Sequence, residues 1–444
     1  MNALERLERA VAASVLDLPP VRVSGVVTEV NPGFYRVAGL SPFLKLGDCI
    51  RFEDGQLGET IRVDDRSASV KPFQAQASLG LGERAFRTGP FSLNPDPSWK
   101  GRVINALGEP VDGAGPVARG PRAVSADAEP PAATKRARVR RPIRTGVRVI
   151  DIFTPLCAGQ RIGIFAGSGI GKSTLLAMLA RSLDFDVIVI GLIGERGREV
   201  REFLDDTLGA DRANAVTIVS TGDESPMMRR LAAKTAMATA EYFRDCGQSV
   251  LLVLDSVTRF AHAAREIALA AGEPAVARGY APSVFSDLPK LLERAGPGQE
   301  GSGSITGIFS VLVDGDDHND PVADNVRGTL DGHIVLDRSI ADQGRYPAVN
   351  VLNSVSRLAQ NAWSPDQRTL VQKLRGMISR FEETRDLRLM GGYQRGSDAE
   401  LDHAIVLVPR LYAALAQDPQ GARSQDAFRD LAEALQAADR SPGP

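Results

Sequence analysis

A glycine-rich loop carries the clearest chemical signal in this chain. The segment AGSGIGKST, Ala166 to Thr174, follows the apolar run QRIGIF and precedes the helical pattern STLLAMLARSL. Glycines lack a Cβ, so backbone N–H groups can close around phosphate oxygens, and a helix N-terminus adds a favourable dipole. The context therefore predicts a P-loop that holds nucleotide phosphates. Ala166 stands where glycine is usual, and we expect this small residue to be tolerated.

Two side chains in the loop have the chemistry to act on a bound nucleotide. Lys172 is expected to hold the β- and γ-phosphates, and the hydroxyl of Ser173 is expected to bind Mg²⁺. The predicted nucleotide contacts are Gly167, Ser168, Gly169, Ile170, Gly171, Lys172, Ser173 and Thr174. The competing interpretation is an accidental glycine-rich turn, and the strand, loop and helix in register argue against it.

Charged residues outside the loop supply candidates for metal binding and water activation. Asp255 ends the apolar run SVLLVLD, where a carboxylate can hold Mg²⁺ through water or can cap the following helix. Glu195 follows the run DVIVIGLIG and either polarises the attacking water or belongs to a salt-bridged charge cluster, and spacing leaves both open. Arg196 is a candidate contact for the γ-phosphate or its water network, although Arg196 and Arg259 could equally form structural ion pairs.

The elements that must position these residues differ in their hydrophobic period. Residues 3–18 have helical spacing and predict an amphipathic helix, which either packs on its own domain or binds a partner. Residues 21–90 contain short strand-like runs with turn signals, which is typical of a small closed barrel. Between 147 and 350, nearly continuous Val, Ile and Leu runs alternate with helices and predict a parallel sheet covered on both faces. Residues from 365 onwards are mostly helical by pattern.

Composition limits the classes of function. The formal net charge is −2, so no global field draws the chain to nucleic acid or anionic lipid. The start of the chain lacks a secretory signal and no apolar run is long enough to span a membrane, so we expect only peripheral membrane association. A strap at 115–145 contains a basic run that is either solvated or phosphate-binding. This run consists of Lys135, Arg136, Arg138, Arg140, Arg141 and Arg144.

Several long segments together identify a family. LIGERGREVREF, GDESPMMRRLAAKTAMATAEYFRD and GRYPAVNVLNSVSRL closely resemble the ATPases of type III protein export, which in turn resemble rotary ATP synthase catalytic subunits. The likeness spans about residues 21–415, and the wording RPIRTGVRVIDIFTPLCAGQRIGIFAGSGIGKST is most similar to the flagellum-specific branch. The resemblance implies an α/β, RecA-like P-loop ATPase core with an N-terminal β-barrel and a C-terminal helical domain. The implied divisions are 1–20, 21–92, 93–364 and 365–444.

The resemblance also implies roles that spacing left open. Glu195 matches the general base of the family's GER motif, and Arg357 in SVSR matches an arginine finger that reaches the neighbouring subunit's nucleotide. Tyr346 matches the aromatic residue that packs against adenine. Because one chain carries both Glu195 and Arg357, a ring of identical chains would hold an equivalent site at every interface. A homohexamer is therefore predicted.

These observations lead to an expected function. We expect Mg²⁺-dependent ATP hydrolysis by a homohexamer that energises or gates flagellar type III export, peripheral to the cytoplasmic side of the inner membrane; injectisome export is the alternative. The implied partners are a stator-like protein at the N-terminal helix, the export gate and stalk proteins, and chaperones with their substrates. No nucleic-acid partner is expected.

Two other functions are alternatives to type III protein export. A rotary ATP synthase subunit is disfavoured because the C-terminal helices lack an acidic DELSEED-like run. A Rho-like RNA translocase would stack bases on Phe34, Tyr35 and Phe43. We expect these three aromatic residues to serve barrel-core and loop packing instead, because no basic surface accompanies them.

Overall fold

The computed structural model describes residues 4, 7, 8, 11, 23–74, 79–182, 184–313 and 320–440. The predicted N-terminal helix lies mostly outside these residues, and its four described positions are helical. The chain divides into two units, Met1–Phe91 with Ala270–Gly272 and Ser92–Leu269 with Glu273–Pro444. Within the described part of the chain, no helix combines the length and apolar character needed to cross a membrane.

The first unit contains a closed barrel of six antiparallel strands. Its strands are β1 (Ser24–Val30), β2 (Tyr35–Ala38), β3 (Asp48–Phe52), β4 (Leu57–Val63), β5 (Ser67–Pro72) and β6 (Arg84–Pro90). They pair in the order β1-β2-β5-β4-β3-β6, and β1 also pairs with β6, which closes the sheet. Closure removes the unpaired edges that an open sheet would expose.

Alternating side chains fill the barrel interior, as the period of two in the sequence predicts. Tyr35 and Phe52 are fully buried there and meet edge to face, with ring centroids 5.4 Å apart. Phe34 is half-buried. Phe43 lies in a short 3₁₀ turn between β2 and β3 and is 53% exposed, so it belongs to a loop rather than to the barrel core.

The second unit is an α/β structure followed by helices. Its strands are β7 (Ser92–Leu93), β8 (Val103–Asn105), β9 (Val124–Ser125), β10 (Pro142–Ile143), β11 (Leu156–Cys157), β12 (Arg161–Ala166), β13 (Val187–Glu195), β14 (Ala215–Thr221), β15 (Ser249–Asp255), β16 (Gly296–Pro297), β17 (Ser304–Leu312), β18 (Gly332–Val335) and β19 (Val355–Ser356). Its helices are α1 (Arg148–Phe153), α2 (Lys172–Ala180), α3 (Gly197–Glu202), α4 (Pro226–Asp245), α5 (Val257–Ala270), α6 (Pro282–Glu293), α7 (Pro321–Thr329), α8 (Arg338–Asp342), α9 (Ala359–Ala362), α10 (Pro365–Glu383), α11 (Arg385–Leu389), α12 (Ala399–Leu415) and α13 (Ala427–Arg440).

The central sheet brings the ends of distant segments to one edge. Its order is β19-β18-β12-β17-β15-β13-β14-β8, and the strands from β18 to β8 are parallel. The interior strands are almost wholly buried, as continuous Val, Ile and Leu runs predict for a parallel sheet with both faces covered. Because parallel strands end at the same edge, the residues after β12, β13 and β15 converge there.

The C-terminal helices are tied to the far end of the P-loop helix α2. Arg181, which caps α2, donates to the carbonyl of Pro419 over 2.8 Å, and Arg423 donates to the carbonyl of Arg181. The side-chain amide of Gln417 donates to the carbonyl of Gly146, also over 2.8 Å. The loop at 416–424 therefore fastens the helical region to the segment that carries the P-loop.

The strap across the second unit is held by charged side chains. Arg294 and Glu241 form an ion pair at 2.6 Å with 5% and 2% of their side chains exposed, and Arg294 also donates to the carbonyl of Ala126. Arg136, from the basic run, pairs with Glu293 at 3.4 Å. A buried pair whose remaining donors are also satisfied fixes the path of the segment it contacts.

Candidate active site

The P-loop closes between strand β12 and helix α2. Gly169 and Gly171 have φ angles of 78° and 90°, in the left-handed region that side-chain-bearing residues avoid. Gly171 also lies against an aromatic ring, because a Cβ there would sit 3.6 Å from the ring of Tyr346. The left-handed backbone at both positions gives the loop the sharp turn that aims successive N–H groups at one anion.

A lysine and an aspartate meet at the base of this loop. The ammonium group of Lys172 donates to Oδ1 of Asp255, and the same oxygen accepts a 2.8 Å hydrogen bond from the hydroxyl of Ser310. Only 11% of the Lys172 side chain and 4% of the Asp255 side chain are exposed. Asp255 ends β15 and Ser310 lies near the end of β17, so the parallel sheet itself positions both groups.

The third member of the site is Glu195, at the end of β13. Its Oε1 lies 3.7 Å from Nζ of Lys172 and is buried without a hydrogen-bond partner in the described protein. Burial raises the pKa of Glu195 to about 7, nearby Lys172 opposes that rise, and Asp255 and Glu199 add to it. An orphaned carboxylate oxygen that titrates near neutral pH is suited to accept a proton from water.

A small void beside Glu195 fits a magnesium site. Ser173, Asp255, Glu195 and Glu199 line it, and these hydroxyl and carboxylate oxygens are the ligands that Mg²⁺ prefers. Within the described residues, no cluster of three or more His, Cys, Asp or Glu side chains could hold a metal by itself. This donor set matches a P-loop site, where the substrate's phosphates complete the coordination of the ion.

Two arginines lie at the cleft beside the loop. Arg259 packs its side chain against Gly194, where a Cβ would come within 3.1 Å, and its buried Nε has no partner. No ion pair involving Arg259 occurs among the described residues, so the structural ion pair considered for it is not found. Arg196 does form one, with Glu199 at 3.4 Å, and 85% of its side chain is exposed at the cleft rim.

Helix α8 and the segment after it bracket the P-loop from the other side. Arg338 donates from Nη2 to the carbonyl of Ser168 over 3.0 Å. Tyr346 places its ring over Gly171, is 43% exposed, and lines a neighbouring cavity that reaches Tyr412 on α12. An exposed ring beside a P-loop offers a flat apolar surface for a nucleotide base.

Arg357 is separate from the groups that this structure brings together. It follows the edge strand β19, is exposed, and does not line the cleft among the described residues. Its backbone N–H donates to the carbonyl of Asp331 over 2.9 Å, and its guanidinium reaches the carbonyl of Arg327 at 3.5 Å. One chain therefore assembles the P-loop, Lys172, Glu195 and Asp255, without Arg357.

Sequence reasoning missed several groups of the site. Ser310 and Arg338 make their contacts with residues 55 and 170 positions away, and no local spacing announces such contacts. Glu199 had a usable signal, since it lies in the first turn of the helix that follows the strand of Glu195, and such a turn stays close to the strand end. Arg259 lies in the same way in the first turn after the strand of Asp255, although sequence analysis considered it only as an ion-pair partner.

Family models match both parts of the second unit. Residues 146–356 match the ATP synthase alpha/beta family, nucleotide-binding domain. Residues 363–437 match the T3SS EscN ATPase C-terminal domain. The first match contains the P-loop, Glu195, Asp255 and Tyr346, and it ends one residue before Arg357.

Individual proteins are similar over nearly the whole chain. The flagellum-specific ATP synthase of Agrobacterium fabrum is 55% identical over 425 residues, covering 95% of this chain and 89% of that protein. The type 3 secretion system ATPase of Xanthomonas euvesicatoria is 44% identical over 406 residues, covering 90% and 91%. The assembled ATPase EscN of enteropathogenic E. coli, solved in complex with its central stalk EscO, has a TM-score of 0.85 at 37% identity, covering 93% of this chain and 100% of that chain.

Proposed function

Because the chain belongs to the family of flagellum-specific and type III secretion ATPases, we propose that it hydrolyses ATP in a homohexameric ring that energises or gates flagellar protein export. ATP hydrolysis and a part in type III export follow from membership of this family. The ring rests on one observation above the others, namely that a single chain holds the phosphate site but keeps Arg357 outside it.

Phosphate binding begins with an exchange of partners at Lys172. The ammonium group that is paired with Asp255 turns to the β- and γ-phosphates, where more negative charge is available. Asp255 and Ser173 are then free to hold Mg²⁺, which neutralises charge on the phosphates when it is bound. Ser310 keeps the carboxylate of Asp255 oriented while its lysine partner leaves.

Glu195 orients and deprotonates the attacking water. Among the described residues its Oε1 has no competing hydrogen-bond donor, and its burial gives it the proton affinity that a base needs near neutral pH. Arg259 is close enough to the loop to contact the departing phosphate. Arg196 at the rim serves the water network, with Glu199 as its resting partner.

Arg357 completes the site from the neighbouring copy. A guanidinium at the transferring phosphoryl group stabilises the charge that develops in the transition state, and such a finger contributes roughly 10³–10⁵ in kcat. A finger delivered across every interface requires a head-to-tail contact that closes on itself, which in this family's ring means six identical chains. Opening and closing of these interfaces converts hydrolysis into movement.

The setting of the ring follows the family. It works in the cytoplasm, peripherally attached to the inner-membrane export apparatus. The stalk complex of EscN supports a stalk partner for this ring. By resemblance, a stator-like regulator binds the N-terminal helix, and the export gate, chaperones and substrates complete the set of partners. The flagellar relative is more similar than the secretion-system relative, at 55% against 44% identity, which favours flagellar over injectisome export.

Mixing two inactive variants tests the shared site. Glu195→Gln destroys the pocket and keeps the finger, whereas Arg357→Ala keeps the pocket and loses the finger, so each alone should lose at least about 100-fold in kcat. In randomly mixed rings, about a quarter of the interfaces pair an intact pocket with an intact finger. We expect ATPase activity to return on mixing, measured by phosphate release at ring-forming concentrations. Mixtures that stay inactive, although both variants enter the same rings, would count against a finger acting in trans.

A further inference from the structure

A half-buried arginine on helix α10 has no counter-charge among the described residues. Arg375 donates from Nη2 to two backbone carbonyls, those of Phe153 at 2.8 Å and Ser354 at 3.1 Å. No carboxylate forms an ion pair with it in the described part of the chain, and its Nε is buried without a partner. Burial lowers the pKa of Arg375, in the direction expected where a charge is desolvated with nothing negative beside it.

The two carbonyls belong to elements far apart in the sequence. Phe153 ends helix α1, which packs in the same hydrophobic core as the P-loop helix α2. Ser354 is fully buried and immediately precedes β19, the two-residue strand that leads into Arg357. Arg375 therefore joins the C-terminal helical region to the peptide three residues before the finger.

Few contacts hold the side chain of Arg357 among the described residues. It makes one long contact, 3.5 Å to the carbonyl of Arg327, and is otherwise exposed. Its placement thus depends on its backbone, which is held by the bond to Asp331, by the pairing of β19 with β18 and by hydrogen bonds of the second residue of β19. The network around Ser354 holds the start of the same segment. Arg375 is the charged member of that network.

Partial burial of the Arg375 guanidinium costs desolvation free energy, so the residue needs an explanation. An apolar side chain would fill the same place between α10 and the sheet without desolvating a charge, and such replacements often leave stability unchanged or improved. What an apolar side chain cannot do is donate to the carbonyl of Ser354. The burial is explained if that hydrogen bond serves the geometry of the segment rather than its stability.

We propose that Arg375 is a positioning residue for Arg357. It fixes the peptide before β19 so that the guanidinium of Arg357 enters the neighbouring site in the correct position. It also makes that position depend on the C-terminal helical region. The inference rests on the proposed function, because it requires Arg357 to act on the neighbouring copy. A catalytic group displaced by about 1 Å loses roughly 100-fold in rate, so even a small shift of the segment should be measurable.

The test replaces Arg375 by methionine, which keeps length and apolar volume but cannot donate. We expect Arg375→Met to lower kcat roughly 10–100-fold, with KM within about twofold, because its own pocket is intact. Arg375→Lys, which can still donate to the carbonyls, should recover most of the activity. Arg368→Met, an exposed position on the same helix, should leave kcat unchanged. Each variant is first checked for folding by circular dichroism and for ring formation by light scattering.

Mixed rings then separate a misplaced finger from a damaged pocket. Arg375→Met mixed with Glu195→Gln should gain several-fold in activity, because the second variant supplies well-placed fingers to the first variant's pockets. Arg375→Met mixed with Arg357→Ala should gain nothing, since neither variant has a good finger. Gain in the second mixture, absence of gain in the first, or full kcat of Arg375→Met alone would each overturn the inference.

The same variants separate failure of the proposed function from failure of the role of Arg375. If Arg357→Ala keeps full activity, Arg357 does not act in trans, and the positioning role of Arg375 fails as well. If Arg357→Ala is inactive and Arg375→Met is not, the proposed function stands and only the role of Arg375 is lost. Where methionine prevents folding, Arg375→Leu, which also lacks a donor, replaces it in the same mixtures and is judged by the same outcomes.

Discussion

The phosphate site and the edge strand that carries Arg357 are built in opposite ways. In the phosphate site, Lys172, Glu195 and Asp255 expose 11%, 15% and 4% of their side chains and contact one another. At the edge strand, Arg357 is exposed, and its hydrogen bonds to described residues go to backbone carbonyls. The first region brings its charged groups together in one chain and is suited to bind nucleotide, whereas the second has a charged group with no anionic partner among the described residues. The contrast indicates that substitutions in the two regions should affect nucleotide binding and ATP turnover separately.

The largest effect should come from the centre of the phosphate site. Lys172→Ala removes the charge that holds the phosphates and leaves Asp255 and Glu195 without a counter-charge, so we expect kcat/KM to fall about 1000-fold. Nucleotide affinity of the isolated chain should fall as well, which isothermal titration calorimetry measures. If the edge strand takes no part in nucleotide binding by its own chain, Arg357→Ala must keep that affinity. Lys290→Ala, at a position 76% exposed, is the matched control. Normal affinity of Lys172→Ala would contradict the site.

A smaller effect follows from the titration of Glu195. Its ionised form is the base, and with a pKa of about 7 it is roughly a tenth ionised one pH unit below that value and nine-tenths ionised one unit above. Turnover should therefore rise about tenfold from pH 6 to pH 8. Arg357→Ala should show the same rise at a lower rate, since Glu195 is unchanged in that variant. A flat profile would show that Glu195 is ionised throughout.

The same ionisation affects the stability of the nucleotide-free chain. The folded state holds the proton of Glu195 more tightly than an unfolded chain does, because the pKa is about 7 against an ordinary 4.5. This group therefore lowers the free energy of unfolding as pH rises from about 4.5 to about 7. Glu195→Gln should remove that contribution, which urea titrations at several pH values would detect.

The smallest effect should lie at Tyr346, which belongs to the finger-bearing segment but packs on the P-loop. Tyr346→Leu keeps an apolar side chain and loses the ring, so we expect KM for ATP to rise about three- to tenfold, the worth of one stacked base. The value of kcat should change by less than twofold. Tyr346→Phe, which keeps the ring, is the control. A loss in kcat with constant KM would place Tyr346 with the finger rather than with the nucleotide.

Sequence reasoning succeeded where chemistry and spacing are local. The loop from Gly167 to Thr174 is recognisable because strand, turn and helix follow one another within a few residues. Asp255 was found in the same way, at the end of a continuous apolar run. The barrel, the α/β core and the C-terminal helices were predictable from changes of hydrophobic period.

Contacts between distant segments could not be predicted in this way. Ser310 contacts Asp255 because the sheet order places their strands side by side. Arg375 contacts Phe153 because α10 and α1 pack into one hydrophobic core. No local sequence pattern predicts either contact. Phe43 is as apolar as its buried neighbours in the barrel, yet it lies in a three-residue turn and is largely exposed. Its exposure shows that residue type sets a preference for burial, and the backbone path decides whether it is met.

The fastening of the loop at 416–424 to the end of helix α2 has a mechanical consequence. The helix has nine residues, so its phosphate-binding start and its tied end are separated by about 13 Å of stiff backbone. A strut of this length transmits displacement along its axis instead of absorbing it. A displacement of α2 along its axis would therefore pass through Arg181 to the loop at 416–424 and the helical region. A partner that touches only those C-terminal helices would then sense movement of the P-loop helix without contacting the nucleotide.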